Sequence, residues 1–231
     1  MVAKGYGAIA SVRNGFAVTL LLAGAAVAEP VTVVALGDSL TAGYGLADQS
    51  QGFAPVLQGW LAERGHEVVV QNAGVSGDTT AGGLARVGWA LGPEADAMIV
   101  TLGGNDLLRG IDPAASRANL DGILKEAAAR DLPVLLVAMK APGNFGPEYK
   151  AAFDAMYGDL AADYGTLLAE DFFAGLRAVG ADPGDPVSLA AYMQPDGLHP
   201  NPEGVKLIVE GLGPQVEALL AVVQERDGQD P

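Results

Sequence analysis

Five short apolar runs, alternating with segments of helical spacing, dictate the architecture this chain can take. The first, VTVVAL at 31–36, is uninterrupted and rich in β-branched residues. Such a run fits a strand covered on both faces; a strand with a wet side would alternate apolar and polar residues. Further strand-like runs lie at 67–71, 97–102, 133–139 and 166–169. Between them apolar residues recur every three or four positions. Phe53, Val56, Leu57, Trp60 and Leu61 mark a helix over 51–64 that Gly65 closes. A weaker helix, loosened by glycines, spans 79–91. Asp112-Pro113 and Asn201-Pro202 each read as an N-cap followed by proline at the first helical position. They open helices reaching Arg130 and Gln224, and another helix spans 147–164. This rhythm predicts an α/β fold with a parallel sheet, helices on both faces and right-handed crossovers.

In such sheets ligands sit at the carboxyl ends of strands, near the point where strand order reverses. The polar residues obey that rule. Asp38 and Ser39 follow the first strand. Asn72, Ser76, Gly77 and Asp78 follow the second, and Asn105 and Asp106 the third. Lys140, Asn144 and Phe145 follow the fourth, and QPDGLHPN at 194–201 lies beyond the fifth. With strand order 2-1-3-4-5 the first three loops converge on one rim. Any one of these loops alone reads better as turn chemistry; their convergence on one rim favours a site.

A serine nucleophile needs a base, and the chain holds two histidines. His66, in ERGHEVV, lies between a helix end and a strand, at the amino end of the sheet. It reads as a surface residue. His199 follows Asp196 by three positions in a turn bounded by Gly197 and Pro200. A carboxylate there can fix the imidazole tautomer and stabilise the imidazolium that forms when Ser39 gives up its proton. For the developing oxyanion, the candidate donors are the backbone N–H groups of Ser39 and Gly77 and the side-chain amide of Asn105. No G-x-S-x-G occurs, so the nucleophile elbow of α/β-hydrolases is absent.

GDSL at 37–40, SGDT at 76–79, GGND at 103–106 and DGLHP at 196–200 resemble, in order and spacing, the four blocks of the SGNH (GDSL) hydrolases. The likeness extends from about Val31 to Pro202. Through ALGDSLTAGYGL, NAGVSGDTTAGGLAR, LGGNDLLRGI and APGNFGPEYKAAF the chain is most similar to the bacterial periplasmic thioesterase I/lysophospholipase/arylesterase group. The resemblance implies a flavodoxin-like three-layer α/β/α sandwich with a five-stranded parallel sheet. It implies Ser39 as nucleophile, His199 as base and Asp196 as its partner. Ser39, Gly77 and Asn105 would form the oxyanion hole, with no cofactor and no metal. The substrates implied are esters or thioesters of acyl or aryl groups, small molecules handled by a monomer. Leu107, Leu108, Pro142 and Phe145, in stretches between the blocks, are candidates for lining an acyl pocket.

The N-terminus bears on compartment. Lys4 and Arg13 precede the apolar run FAVTLLLAGAAV at 16–27, and AVA ends at Ala28 before Glu29-Pro30. Basic residues, a short apolar stretch and small residues describe a signal peptide over 1–28, leaving a hydrolase domain over 29–231. Twelve apolar residues are too short for comfortable membrane spanning, so the expectation is export to the periplasm or beyond, with no stable membrane insertion after cleavage. The net charge of −15 disfavours nucleic acid and anionic surfaces as partners. With no cysteine, disulfides and thiolate chemistry are excluded. Other readings are a carbohydrate O-acetylesterase, a non-catalytic binding domain that keeps the scaffold, and a metal-dependent phosphoesterase using Asp38, Asp78 and Asp106. The last is short of histidines; two of its carboxylates, Asp38 and Asp106, read better as braces for the loops carrying Ser39 and Asn105.

Overall fold

A computed structural model describes residues 1, 2 and 29–228. The leader expected over 1–28 therefore lies, but for its first two residues, outside the described residues. Five strands, β1 (Val31–Gly37), β2 (Val68–Gly74), β3 (Ala97–Thr101), β4 (Val134–Val137) and β5 (Leu167–Ala169), form one sheet in the order β2-β1-β3-β4-β5. Every pairing is parallel, as the sequence predicts. Val33, Val34, Ala35 and Leu36 of β1 and Ala97 to Val100 of β3 are completely buried. That burial explains why these runs are continuous rather than alternating.

The described helices are α1 (Ser39–Ala42), α2 (Phe53–Ala62), α3 (Thr80–Ala90), α4 (Gly104–Arg109), α5 (Pro113–Ala128), α6 (Pro147–Tyr164), α7 (Ala174–Ala178), α8 (Pro186–Leu189) and α9 (Pro202–Asp227). α2, α9 and α7 pack together, and α3, α5 and α6 pack together. The sheet lies between these two layers, as right-handed crossovers in this strand order require. α9 is long and apolar enough to pass for a membrane span on composition. Its Val205, Ile208, Val209, Leu212, Val216, Leu219, Leu220 and Val223 are instead buried in the core. Asn201 caps it through hydrogen bonds accepted from the N–H groups of Glu203 and Gly204.

The short helices α1, α7 and α8 are not expected from the sequence, and two further differences bear on the site. β2 continues to Gly74, so Asn72 lies inside the strand rather than after it. Backbone pairing Ala35↔Asn72, Leu36↔Ala73 and Gly37↔Gly74 extends the ladder regardless of side-chain polarity. The polar residues are tolerated because β2 is an edge strand. The second is α4, which forms directly after β3 where the sequence shows only GGND; its two leading glycines hide it from propensity rules.

Strand order reverses between β1 and β3. Gly37 pairs with Gly74 on one side and Thr101 on the other, which brings the ends of three strands level. The first turn after β1 packs directly on the end of β2. A Cβ built on Gly74 would lie 2.3 Å from the backbone nitrogen of Ala42. Gly74→Ala must therefore push α1 away from β2. We expect it to cost roughly 1–3 kcal/mol of stability in urea denaturation and to shift the helix that carries Ser39.

Candidate active site

Ser39 is the first residue of α1, a single turn immediately after β1. Its N–H, like all N–H groups in the first turn of a helix, has no intrahelical acceptor. Asp38 caps the turn, its Oδ1 accepting from the Leu40 N–H at 3.0 Å. The helix ends at Gly43 in the left-handed region. Beneath it, buried Thr41 and Thr101 share a hydrogen bond of 2.5 Å that ties the turn to β3.

His199 reaches Ser39 across the carboxyl edge of the sheet. Its Nε2 lies 2.9 Å from Ser39 Oγ, and its Nδ1 lies 2.7 Å from Asp196 Oδ2. His199 is 8% exposed, and both of its ring nitrogens are used by these two contacts. Asp196 divides its oxygens. Oδ1 accepts from the N–H groups of Leu198 and His199 and closes the turn, while Oδ2 holds the imidazole. These bonds, chiefly from the His199 N–H and ring and then from the Leu198 N–H, pull the Asp196 carboxyl down to about 2. With Asp196 ionised, Nδ1 is the protonated nitrogen and Nε2 the acceptor for the serine hydroxyl.

Gly77 and Asn105 complete the arrangement. Gly77 has φ +85, a left-handed geometry in which a side chain would be strained. Its carbonyl accepts from Arg109 Nη2 at 2.9 Å. Asn105 lies on α4, and its amide Nδ2 donates to Asp38 Oδ2 at 3.2 Å. Ser39, Gly77, Asn105, Asp196 and His199 all line one cavity of about 930 Å³. Leu107, Leu108 and Pro142 line it too. Phe145 does not: it packs on Tyr149, ring centroids 5.0 Å apart, and is 44% exposed. The short 3₁₀ turn over 143–145 aims its ring away from the cavity and over Gly110. Tyr44, Met139, Phe173 and Leu198, which the sequence did not single out, supply apolar wall in its place.

The remaining sequence candidates have other partners. Asp106 is fully buried and accepts from the Thr80 N–H, the Thr80 hydroxyl and the Ser116 hydroxyl. It thereby ties α4, which carries Asn105, to the start of α3, which follows the Gly77 turn. Asp78 pairs with Arg86 at 2.6 Å. Among the described residues no three His, Asp or Glu side chains converge as metal ligands do. His66 sits before β2, at the opposite edge, 3.1 Å from Glu217. Arg86 enters the sequence reading only as the last residue of NAGVSGDTTAGGLAR, with no role assigned to it. Besides Asp78 it donates to the carbonyls of Ala73 and Gly37, both at 2.8 Å. Its one available signal was being the single charged residue in α3, TAGGLARVGWA.

A profile of the GDSL-like Lipase/Acylhydrolase family matches residues 35–207. The chain is 39% identical over 208 residues to Esterase TesA of Pseudomonas aeruginosa, covering 90% of this chain and 97% of that one. It is 33% identical over 190 residues to Thioesterase 1/protease 1/lysophospholipase L1 of Escherichia coli K12, covering 82% and 85% respectively. An arylesterase of Vibrio mimicus is 32% identical over 179 residues, covering 77% and 84%. Among solved structures, TesA superposes with a TM-score of 0.70 at 40% identity, covering 81% of this chain and 99% of that one. The SGNH-hydrolase family esterase AlinE4 gives 0.66 at 41% identity, covering 84% and 98%. The protein is a serine hydrolase acting on ester bonds. It belongs to the GDSL-like (SGNH) lipase/acylhydrolase family.

Asp38 carries a consequence for stability. Burial pushes its carboxyl from 3.8 to about 6, against the opposing pull of the Leu40 N–H and the Asn105 amide. Because the folded protein holds this proton more tightly than the unfolded chain, the associated stability is complete below pH 3.8. It is lost as pH rises through about 6. The stability of wild type relative to Asp38→Asn, measured by urea denaturation, should therefore fall between pH 4 and 6 and level off above that window.

Proposed function

We propose that the protein hydrolyses carboxylic esters or thioesters of acyl or aryl groups through an acyl-enzyme, with Ser39, His199 and Asp196 as its catalytic triad. The observation that carries this reading is the unbroken chain of contacts from Asp196 Oδ2 through the imidazole of His199 to Ser39 Oγ. His199 Nε2 takes the Ser39 proton as Oγ attacks the acyl carbonyl. Asp196 stabilises the imidazolium, and the proton passes to the leaving alcohol or thiol. Water, deprotonated by the same nitrogen, then attacks the acyl-enzyme and releases the acid. The tetrahedral oxyanion is held by the N–H groups of Ser39 and Gly77 and the amide of Asn105.

The cavity supports a substrate with an apolar arm. Leu107, Leu108, Met139, Pro142 and Phe173 contribute wall on the side chains' apolar surfaces. Its cations are matched by carboxylates: Lys140 pairs with Glu170, Lys150 with Asp154, and Arg177 with Asp171 and Asp182. A neutral acyl or aryl group suits this lining better than a polar sugar, which favours acyl and aryl esters over carbohydrate acetates.

Ser39→Ala should reduce turnover of p-nitrophenyl esters by at least about a thousandfold while leaving the far-ultraviolet circular dichroism unchanged. Asn105→Ala should lower kcat by about 10²–10³-fold. Activity that survives Ser39→Ala assigns the nucleophile elsewhere. Comparing acetate to palmitate esters, an acyl-CoA and a lysophospholipid, with and without EDTA, identifies the acyl group and leaving group preferred.

We further propose that residues 1–28 direct export and are then removed. Expression of the full chain in a Gram-negative host, followed by fractionation and intact-mass measurement, should recover a periplasmic or secreted species beginning at Glu29.

A further inference from the structure

The segment that carries Ser39 does more than present a hydroxyl. Five residues on, Tyr44 lays its ring beside His199, with centroids 4.7 Å apart and planes tilted by 44°. The ring is held there by its own backbone. The Tyr44 N–H donates to the carbonyl of Ser39 at 3.1 Å. The Tyr44 carbonyl accepts from Gln194 Nε2 at 2.8 Å. The same amide donates its other hydrogen to the Pro200 carbonyl at 3.0 Å, and the Gln194 N–H donates to the His199 carbonyl at 2.8 Å. One glutamine thus clamps the turn bearing the base to the segment bearing the hydroxyl and the ring. Gly45 makes the clamp possible, since a Cβ there would lie 2.2 Å from Gln194 Oε1. Tyr44 is nonetheless 54% exposed, which is an unusual place to anchor a ring with two backbone bonds if it serves only as packing.

We propose that Tyr44 is a positioning residue for His199: its ring holds the imidazole against Ser39 Oγ and favours the imidazolium that forms as the serine proton is transferred. A cation within about 6 Å of an aromatic centroid is attracted by the ring's π-face, and His199 takes up that charge as it accepts the serine proton. The interaction therefore strengthens as charge develops, which is the condition for lowering a barrier rather than merely tightening a complex. Asp196 acts on the opposite ring nitrogen from His199's own turn, and Asp38 acts electrostatically from the end of β1. The ring adds a contact with the imidazole that is separate from both carboxylates. Lys140, Lys150, Asp171, Arg177 and Asp182 line the same cavity, and substitution at position 44 leaves them in place.

This inference rests on His199 being the base, so its test separates the two. The chain has two histidines, His66 and His199. Heteronuclear NMR titration of their rings therefore resolves both without substrate, and His66, paired with Glu217 on the opposite edge, serves as the internal reference. Tyr44→Leu keeps an apolar cover over the imidazole but removes the π-face; Tyr44→Phe keeps the π-face and removes the hydroxyl. In Tyr44→Leu the His199 midpoint should fall by about half a pH unit. The acid limb of kcat/KM should move with it, and kcat should fall more than KM changes. In Tyr44→Phe the His199 midpoint should stay at the wild-type value, and in both variants the His66 midpoint should not move. A His199 midpoint in Tyr44→Leu equal to wild type overturns the proposal, as does an effect confined to KM, which is what a simple cavity wall would give. Undiminished turnover by Ser39→Ala is a different failure: it overturns the catalytic reading and leaves the titration result to stand on its own.

Discussion

The buried carboxylate of Asp38 is the constraint on which the rest of the site depends. It is 1% exposed and makes two bonds pointing in different directions. One caps the turn that begins with Ser39, and the other receives the amide of Asn105 from α4. The helix that carries Ser39 and the proposed oxyanion donor Asn105, from a different strand end, are thus referenced to a single group. Burial makes this expensive, and the carboxyl is held near 6 because of it. At neutral pH the group is nonetheless ionised, and a charged acceptor binds an amide more firmly than a neutral one. A buried charge with two well-placed donors costs stability while fixing geometry, a trade common at sites where position matters more than stability.

Asp196 shows the same residue type put to the opposite use. Its side chain remains 41% exposed, and three bonds from two neighbouring residues draw its carboxyl to about 2 rather than 6. Asp38 takes up its proton at higher pH and fixes loops; Asp196 keeps its charge to far lower pH and faces the imidazole. Two carboxylates whose surroundings push them in opposite directions are thereby held in different charge states between about pH 2 and 6, as pairs of titratable groups in active sites tend to be.

Much of this was readable before any coordinates because the relevant contacts are local or topological. Asp196 and His199 lie three apart in a turn, so their bond needs little beyond Gly197 and Pro200. The convergence of Ser39, Gly77 and Asn105 follows from strand order, and strand order follows from the alternation of buried runs and helices. What escaped the sequence depends on side chains reaching between elements distant along the chain. Gln194 bonds the carbonyl of Tyr44 across 150 positions, and Arg86 bonds that of Gly37 across 49. Neither belongs to a periodic pattern. Phe145 failed for the converse reason. Its apolar character suggested pocket lining, but a local 3₁₀ turn, invisible in composition, directs it onto Tyr149.

Arg86 shows why such distant contacts concentrate where they do. The proposed oxyanion donors come from three separate strand ends, so their mutual spacing is only as good as the alignment of those ends. Backbone pairing aligns the strands up to Gly37, Gly74 and Thr101 but says nothing about the turns beyond. A guanidinium has five donors in a rigid plane. Here three of its nitrogens span the gap, reaching Gly37 at the exit of β1, Ala73 near the exit of β2, and Asp78 beside Gly77. A lysine at position 86 would offer one nitrogen and no plane, so it could satisfy the charge of Asp78 without fixing the angle between the two turns. The sheet supplies coarse registration, and planar or forked groups such as Arg86, Gln194 and the carboxylates of Asp38 and Asp106 convert it into the finer alignment that hydrogen-bonded stabilisation of an oxyanion demands.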